Sequence, residues 1–146
     1  EDGGPAFEKA ERVFVATEEL AAFRDEPRMR PVLSRLMPLE QGDGPMRGVV
    51  AINAPGHSPG HMAFLVEGRL LIWGDLVHHA AVQLPRPEVT WVSDDDQDAA
   101  RASRLRLMEQ AVEQGYLVAG AHLPFPAIGR IARDGAGYAF TPVGAR

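Results

Sequence analysis

Histidine and aspartate side chains recur at the ends of short apolar runs in this chain, and they are the residues whose types and spacing could do chemistry. The first segment is Ala54-Pro55-Gly56-His57-Ser58-Pro59-Gly60-His61. Gly56 and Gly60 permit sharp backbone turns, so the His57 imidazole can point inward with little obstruction. The second segment is Trp73-Gly74-Asp75, an acid at the end of an apolar run. A buried carboxylate there is costly unless a cation faces it. The third is Ala119-Gly120-Ala121-His122-Leu123-Pro124. Two imidazoles and a carboxylate are nitrogen and oxygen donors suited to zinc or a similar divalent ion. Histidines near strand ends are also commonly hydrogen-bonded structural residues, and spacing alone leaves both readings open.

The elements that must position these groups follow from pattern and punctuation. Residues 12–16 read as a short strand, with Thr17 capping a helix to about Phe23. Pro27 and Pro31 bracket a short helix around Val32 to Met37. Residues 49–54 read as a strand ending at Pro55-Gly56. Met62 to Val66 and Leu70 to Trp73 form a hairpin around Glu67-Gly68-Arg69, apolar enough for burial on both faces. Ser93 or Asp94 caps the best helix, about Asp96 to Gln114, with Ala100, Leu105, Met108 and Val112 as its inner face. Gly115 stops it. Residues 116–119 read as a strand, and 128–132 with 138–142 as a closing hairpin. Mixed strands with helices outside them indicate α/β layers in one domain.

Order and wording of the motifs carry a resemblance. A Pro-Gly-His segment, a hairpin ending in Gly-Asp, and a late His after a strand are similar, in that order, to the metallo-β-lactamase superfamily. Within it, residues 73–83, residues 115–129 and the Gly-Tyr-x-Phe-x-Pro-Val ending at 137–143 resemble the methyl parathion hydrolase and lactonase group. The resemblance implies an α/β fold corresponding to the C-terminal half of the αββα sandwich, a mixed sheet with outer helices. It implies that His57 binds one metal ion, His122 a second, and that Asp75 bridges them. Zn²⁺ is the implied ion, two per site, lowering the pKa of the water that attacks a carbonyl carbon or phosphorus. Asp75 stands where the best-known zinc β-lactamases carry Cys, which points to the glyoxalase, lactonase and phosphotriesterase side of the superfamily. The implied activity is therefore metal-dependent hydrolysis of an ester-like bond in a small-molecule substrate, a lactone or a phosphotriester.

The family's main ligand cluster, H-x-H-x-D-H, does not occur in the 146 residues, and the resemblance places it before residue 1. Residues 4–7 resemble the stretch that follows it, and the region from Arg24 to Gly48 looks short against family members. The chain is thus expected to be a partial domain over 1–146. Its partner would be the N-terminal half of the fold or a second copy of itself. Two rival readings stand beside this one: a non-catalytic remnant or interaction module, and one half of a split enzyme.

Other candidates have simpler explanations. His61 reads as structural, packed under its loop. His78 reads as pocket lining or as a group orienting a ligand, with His79 a weaker case. Asp94, Asp95, Asp96 and Asp98 gather at a helix N-terminus, where negative charge is favourable without any ion. Trp73 belongs to a buried strand and Trp91 could stack on a substrate, whereas Phe125 is a candidate for an apolar pocket wall.

Composition excludes several classes. A net charge of −5 offers nothing to a phosphate backbone, so no nucleic-acid partner is expected. The absence of cysteine removes disulfides and thiolate chemistry, and it is compatible with either cytoplasm or periplasm. No apolar run reaches the ~18 residues of a membrane span.

Overall fold

A computed structural model describes residues 9–144. Most of the opening loop read over residues 1–11, including residues 4–7, lies outside them. The described chain begins with strand β1 (Val13–Ala16), a 3-10 turn at Thr17–Glu19 and helix α1 (Leu20–Asp25). Thr17 makes no cap; the residue before the turn is Ala16, without a side-chain bond. A 3-10 run, Pro27–Arg35, leads directly into β2 (Leu36–Leu39), which pairs parallel with β1. The short helix expected to reach Met37 therefore ends two residues earlier. Val13, Val15, Met29 and Val32 bury a small core of their own beneath this pair.

The main sheet has six strands in sequence order: β3 (Val49–Asn53), β4 (Met62–Val66), β5 (Leu70–Ile72), β6 (Leu117–Ala119), β7 (Ile128–Asp134) and β8 (Gly137–Pro142). Every neighbouring pair is antiparallel except β5 and β6, which run parallel. A parallel pair needs a crossover, and the chain supplies it with a short helix α2 (Ala80–Gln83) and the long helix α3 (Gln97–Gln114).

One face of the sheet carries Ala63, Leu71, Val118, Ile131 and Tyr138 into the main core, where Leu107, Met108 and Ala111 of α3 meet them. Each large apolar side chain buried there contributes about 1.5–3 kcal/mol. The inward stripe of α3 is Ala100, Ser103, Arg104, Leu107, Met108 and Ala111. Of the expected face, Ala100 and Met108 are buried and Val112 packs against the core, whereas Leu105 is 40% exposed. Asp96, rather than Ser93 or Asp94, caps the helix by accepting from the Ala99 N–H, and Gly115 ends it in the left-handed conformation. On the opposite face, Leu70, Leu117, Ala119 and Ile128 are half-buried and Ile72 is 39% exposed, so the β4–β5 hairpin is not covered on both sides. No helix among the described residues is long and apolar enough to cross a membrane.

Candidate metal centre

The loops at one end of the sheet hold the three expected ligands. His57 lies in the β3–β4 connection, Asp75 in a 3-10 turn (Gly74–Leu76) directly after β5, and His122 in the β6–β7 connection. These three converge on one carboxylate. Asp75 Oδ1 lies 3.1 Å from His122 Nε2, and Asp75 Oδ2 lies 3.6 Å from His57 Nε2. Each imidazole therefore faces its own carboxylate oxygen.

Two glycines make the approach possible. A Cβ on Gly56 would lie 2.0 Å from the Ala100 backbone nitrogen, so the His57 loop rests directly on the first turn of α3. That contact is a clasp: Asp96 N–H donates to Gly56 O at 2.9 Å and Ser103 Oγ to Pro55 O at 2.8 Å. A Cβ on Gly74 would lie 2.7 Å from His61 Nε2, which explains the small residue before Asp75.

His61 holds the floor of the loop. Its Nδ1 pairs with Ala54 O at 2.9 Å, and its Nε2 accepts from the Asp75 backbone N–H at 3.1 Å. Those bonds require the neutral ring protonated on Nδ1. Burial lowers its pKa from the ordinary histidine value, with the bond to Ala54 opposing.

Behind His57 sits a group that sequence reasoning had assigned only to a solvated helix start. Asp94 turns inward, its side chain 1% exposed, and Oδ1 accepts from His57 Nδ1 at 3.3 Å. Its other oxygen accepts from the Trp91 N–H at 3.3 Å and lies 3.8 Å from Arg104 Nη2. Arg104 is itself buried; it donates to Leu76 O, Pro87 O and Val89 O at 2.7–3.0 Å and so pins the β5–α3 connection. The available signal was an arginine in helical phase with Ala100, Leu107 and Met108.

With the Nδ1 proton of His57 committed to Asp94, its Nε2 lone pair faces the Asp75 carboxylate. Two acceptors facing each other need a cation or proton between them. Tetrahedral zinc at about 2.0–2.1 Å from each donor separates donors by roughly 3.3 Å, close to both distances here. The donor chemistry and its spacing fit a divalent ion.

His78, expected as pocket lining or as a group orienting a ligand, is turned toward the site. Its backbone N–H and that of His79 both donate to the buried Gln83 Oε1, at 2.7 and 3.0 Å, which sends His78 inward while His79 stays exposed. The His78 ring stacks on Trp91 at 5.7 Å and lies 4.7 Å from His57 and 5.4 Å from His122 by ring centroids. Its side chain is 9% exposed, yet neither ring nitrogen has a hydrogen-bond partner. Burial lowers its pKa, with Asp94 pulling the other way. Trp73 is fully buried in the core, and Trp91 is 39% exposed. Phe125 departs from the expected pocket wall: it is 94% exposed, because the turn after His122 directs it outward. The adjacent groove of about 310 Å³ is lined by His78, His79, His122, Leu123 and Pro124.

No protein-family model matches the chain, and no curated protein matches it. Solved structures do. One is AidC, a dizinc quorum-quenching lactonase, at 20% identity and TM-score 0.79, covering 91% of this chain and 55% of that one. A second is AbOPH, a hydrolase in the β-lactamase superfamily, at 25% identity and TM-score 0.79, covering 92% and 56%. A third is a probable metal-dependent hydrolase from Staphylococcus aureus, at 21% identity and TM-score 0.68, covering 91% and 52%. The chain spans about half the length of each.

Proposed function

We propose, from the premise that this chain carries the C-terminal half of the metallo-β-lactamase fold, that it supplies the His57–Asp75–His122 part of a metal centre that hydrolyses an ester-like bond. The observation that carries this reading is the division of the Asp75 carboxylate: one oxygen faces His122 and the other faces His57. That is the arrangement a bridging carboxylate would take. When bound, divalent ions, zinc foremost, polarise the scissile group and make water nucleophilic at neutral pH.

The chain's own residues do the rest. Asp94 holds the His57 ring with Nε2 toward Asp75, Arg104 holds Asp94, and His61 fixes the Asp75 backbone. The groove beside His122, with Leu123 and Pro124 on its wall, is open enough to admit a small ester, a lactone or a phosphotriester.

Two measurements test this. Zinc titration should show that Asp75→Asn and His122→Asn each abolish tight binding by the chain. Turnover of a γ-lactone and an aryl phosphotriester by the chain alone should stay near background, because a paired site needs more donors than these three. Adding a separately expressed H-x-H-x-D-H half from a similar hydrolase should raise it. Zinc binding unaffected by either substitution would overturn the assignment. Robust metal-dependent turnover by the chain alone would show that a paired site is not required.

A further inference from the structure

We infer that His78 is a third metal donor, and that with Asp75 and His122 it gives this chain a one-ion site of its own; the inference rests on the metal-centre reading above. Ligand atoms of Asp75, His78 and His122 all lie within 4.8 Å of one another. Closing that spread to the ~3.3 Å of a tetrahedral site takes small side-chain movements. His78 also belongs to a second such group, with His57 and Asp94.

The independent observation is the state of the His78 ring. Both nitrogens are buried and neither makes a hydrogen bond; the nearest charge, Asp94 Oδ1, stands 4.0 Å from Nδ1, and the side chain is about nine-tenths out of water. Buried polar groups in folded proteins nearly always make a hydrogen bond, so a buried imidazole whose two nitrogens make none is well placed to serve as a metal donor. The fold nevertheless drives this ring inward, through the paired backbone bonds to Gln83 and the stack on Trp91.

Of the two groups, the one with His122 is the open one. Asp94 already accepts from His57 and from the Trp91 N–H, with Arg104 alongside it. Asp75 and His122 have side chains 38% and 45% exposed, and His78 and His122 both line the groove. Two imidazoles, one carboxylate and an open fourth position form the donor pattern of a catalytic zinc site.

The test uses the 146-residue chain with zinc by calorimetry and Co²⁺ by visible absorption. The expected result is one ion per chain with a tetrahedral Co²⁺ spectrum. His78→Phe keeps a ring but removes both nitrogens. Its affinity should fall at least about 100-fold, since even outer-shell partners are worth 10–100-fold. His122→Asn should lose a similar amount, and Glu113→Gln, on the exposed side of α3, should bind like the unaltered chain. The Phe variant should melt no lower than the unaltered metal-free chain, because two unpaired buried nitrogens are gone. Should it fail to fold, zinc-induced shifts of the His78 imidazole resonances in the unaltered chain give the same answer. Binding that survives His78→Phe but not His122→Asn overturns this inference and leaves the metal-centre reading standing. Loss with His78→Phe but not with His122→Asn puts the ion against Asp94, which also overturns it. No binding by the unaltered chain overturns both.

Discussion

Asp94 is one of three consecutive acids, and the three have different fates: Asp95 is exposed, Asp96 caps α3, and Asp94 is buried against His57. Its consequence is testable at one atom. Asp94→Asn preserves shape but removes the charge that favours a proton on His57 Nδ1. Zinc affinity is therefore expected to fall about 10–100-fold by calorimetry, with unchanged far-ultraviolet circular dichroism. Equal affinity would mean that the His57 ring is oriented by packing alone. The meeting of His57, Asp75 and His122 was legible because each leaves an apolar run in the order of the family that the motifs resemble. Asp94 was not, because an acidic helix start has a sufficient explanation in the helix dipole. Which of the three acids turns inward depends on Arg104, whose burial follows from the phase of α3. His78, favoured over His79 in the sequence, is the ring that turns inward, and the cause that the sequence does not display is Gln83 catching both of their backbone N–H groups.

At the scale of elements, the clasp between the His57 loop and α3 is the joint on which the site depends. Gly56→Ala would place a methyl group 2.0 Å from the Ala100 nitrogen at a φ of +133°, where side chains rarely sit. A loss of about 3 kcal/mol or more is expected, measured by urea denaturation, together with weaker zinc binding as the loop lifts. Arg104→Met attacks the same joint from below and leaves Asp94 buried without its cation. A cost of about 3–5 kcal/mol is expected there. A stability within 1 kcal/mol of the unaltered chain in both variants would mean that the loop and helix relax independently. The strands of the main sheet were readable from their apolar runs and turn residues, and α3 from its length and its Gly115 stop. Its inner face was read correctly at Ala100, Met108 and Val112 but not at Leu105, which is apolar yet exposed, whereas Ser103 and Arg104 are polar yet buried by bonds to Pro55 O, Leu76 O and Val89 O. The strand at Leu36–Leu39 escaped notice because the short helix was read on through Met37; among the described residues it pairs with β1 only, and Pro is tolerated on such an edge.

Over the whole molecule, burial is lopsided. One sheet face is sealed by α3, while the other leaves Leu70, Ile72, Leu117 and Ile128 partly in water. Apolar area left in water forgoes about 25 cal/mol per Å². The chain alone is expected to self-associate through this face, giving a light-scattering mass above the 15.8 kDa of one copy. An Ile72→Lys variant should shift it toward the monomer. A monomeric unaltered chain with a sharp cooperative melt would show that the open face is tolerated as it stands. The strand order has a kinetic consequence as well. Every neighbour in the sheet is also a neighbour in sequence, so β3–β4–β5 and β6–β7–β8 can each zip from a short turn. Only the parallel seam between β5 and β6 must wait for α2 and α3 to be laid down and the long intervening segment to close. Loop-closure entropy is charged against that single step, which makes it the natural bottleneck of folding. Asp75 leaves the seam from one strand and His122 follows it from the other, so these two donors meet only when the slowest part of the sheet has formed.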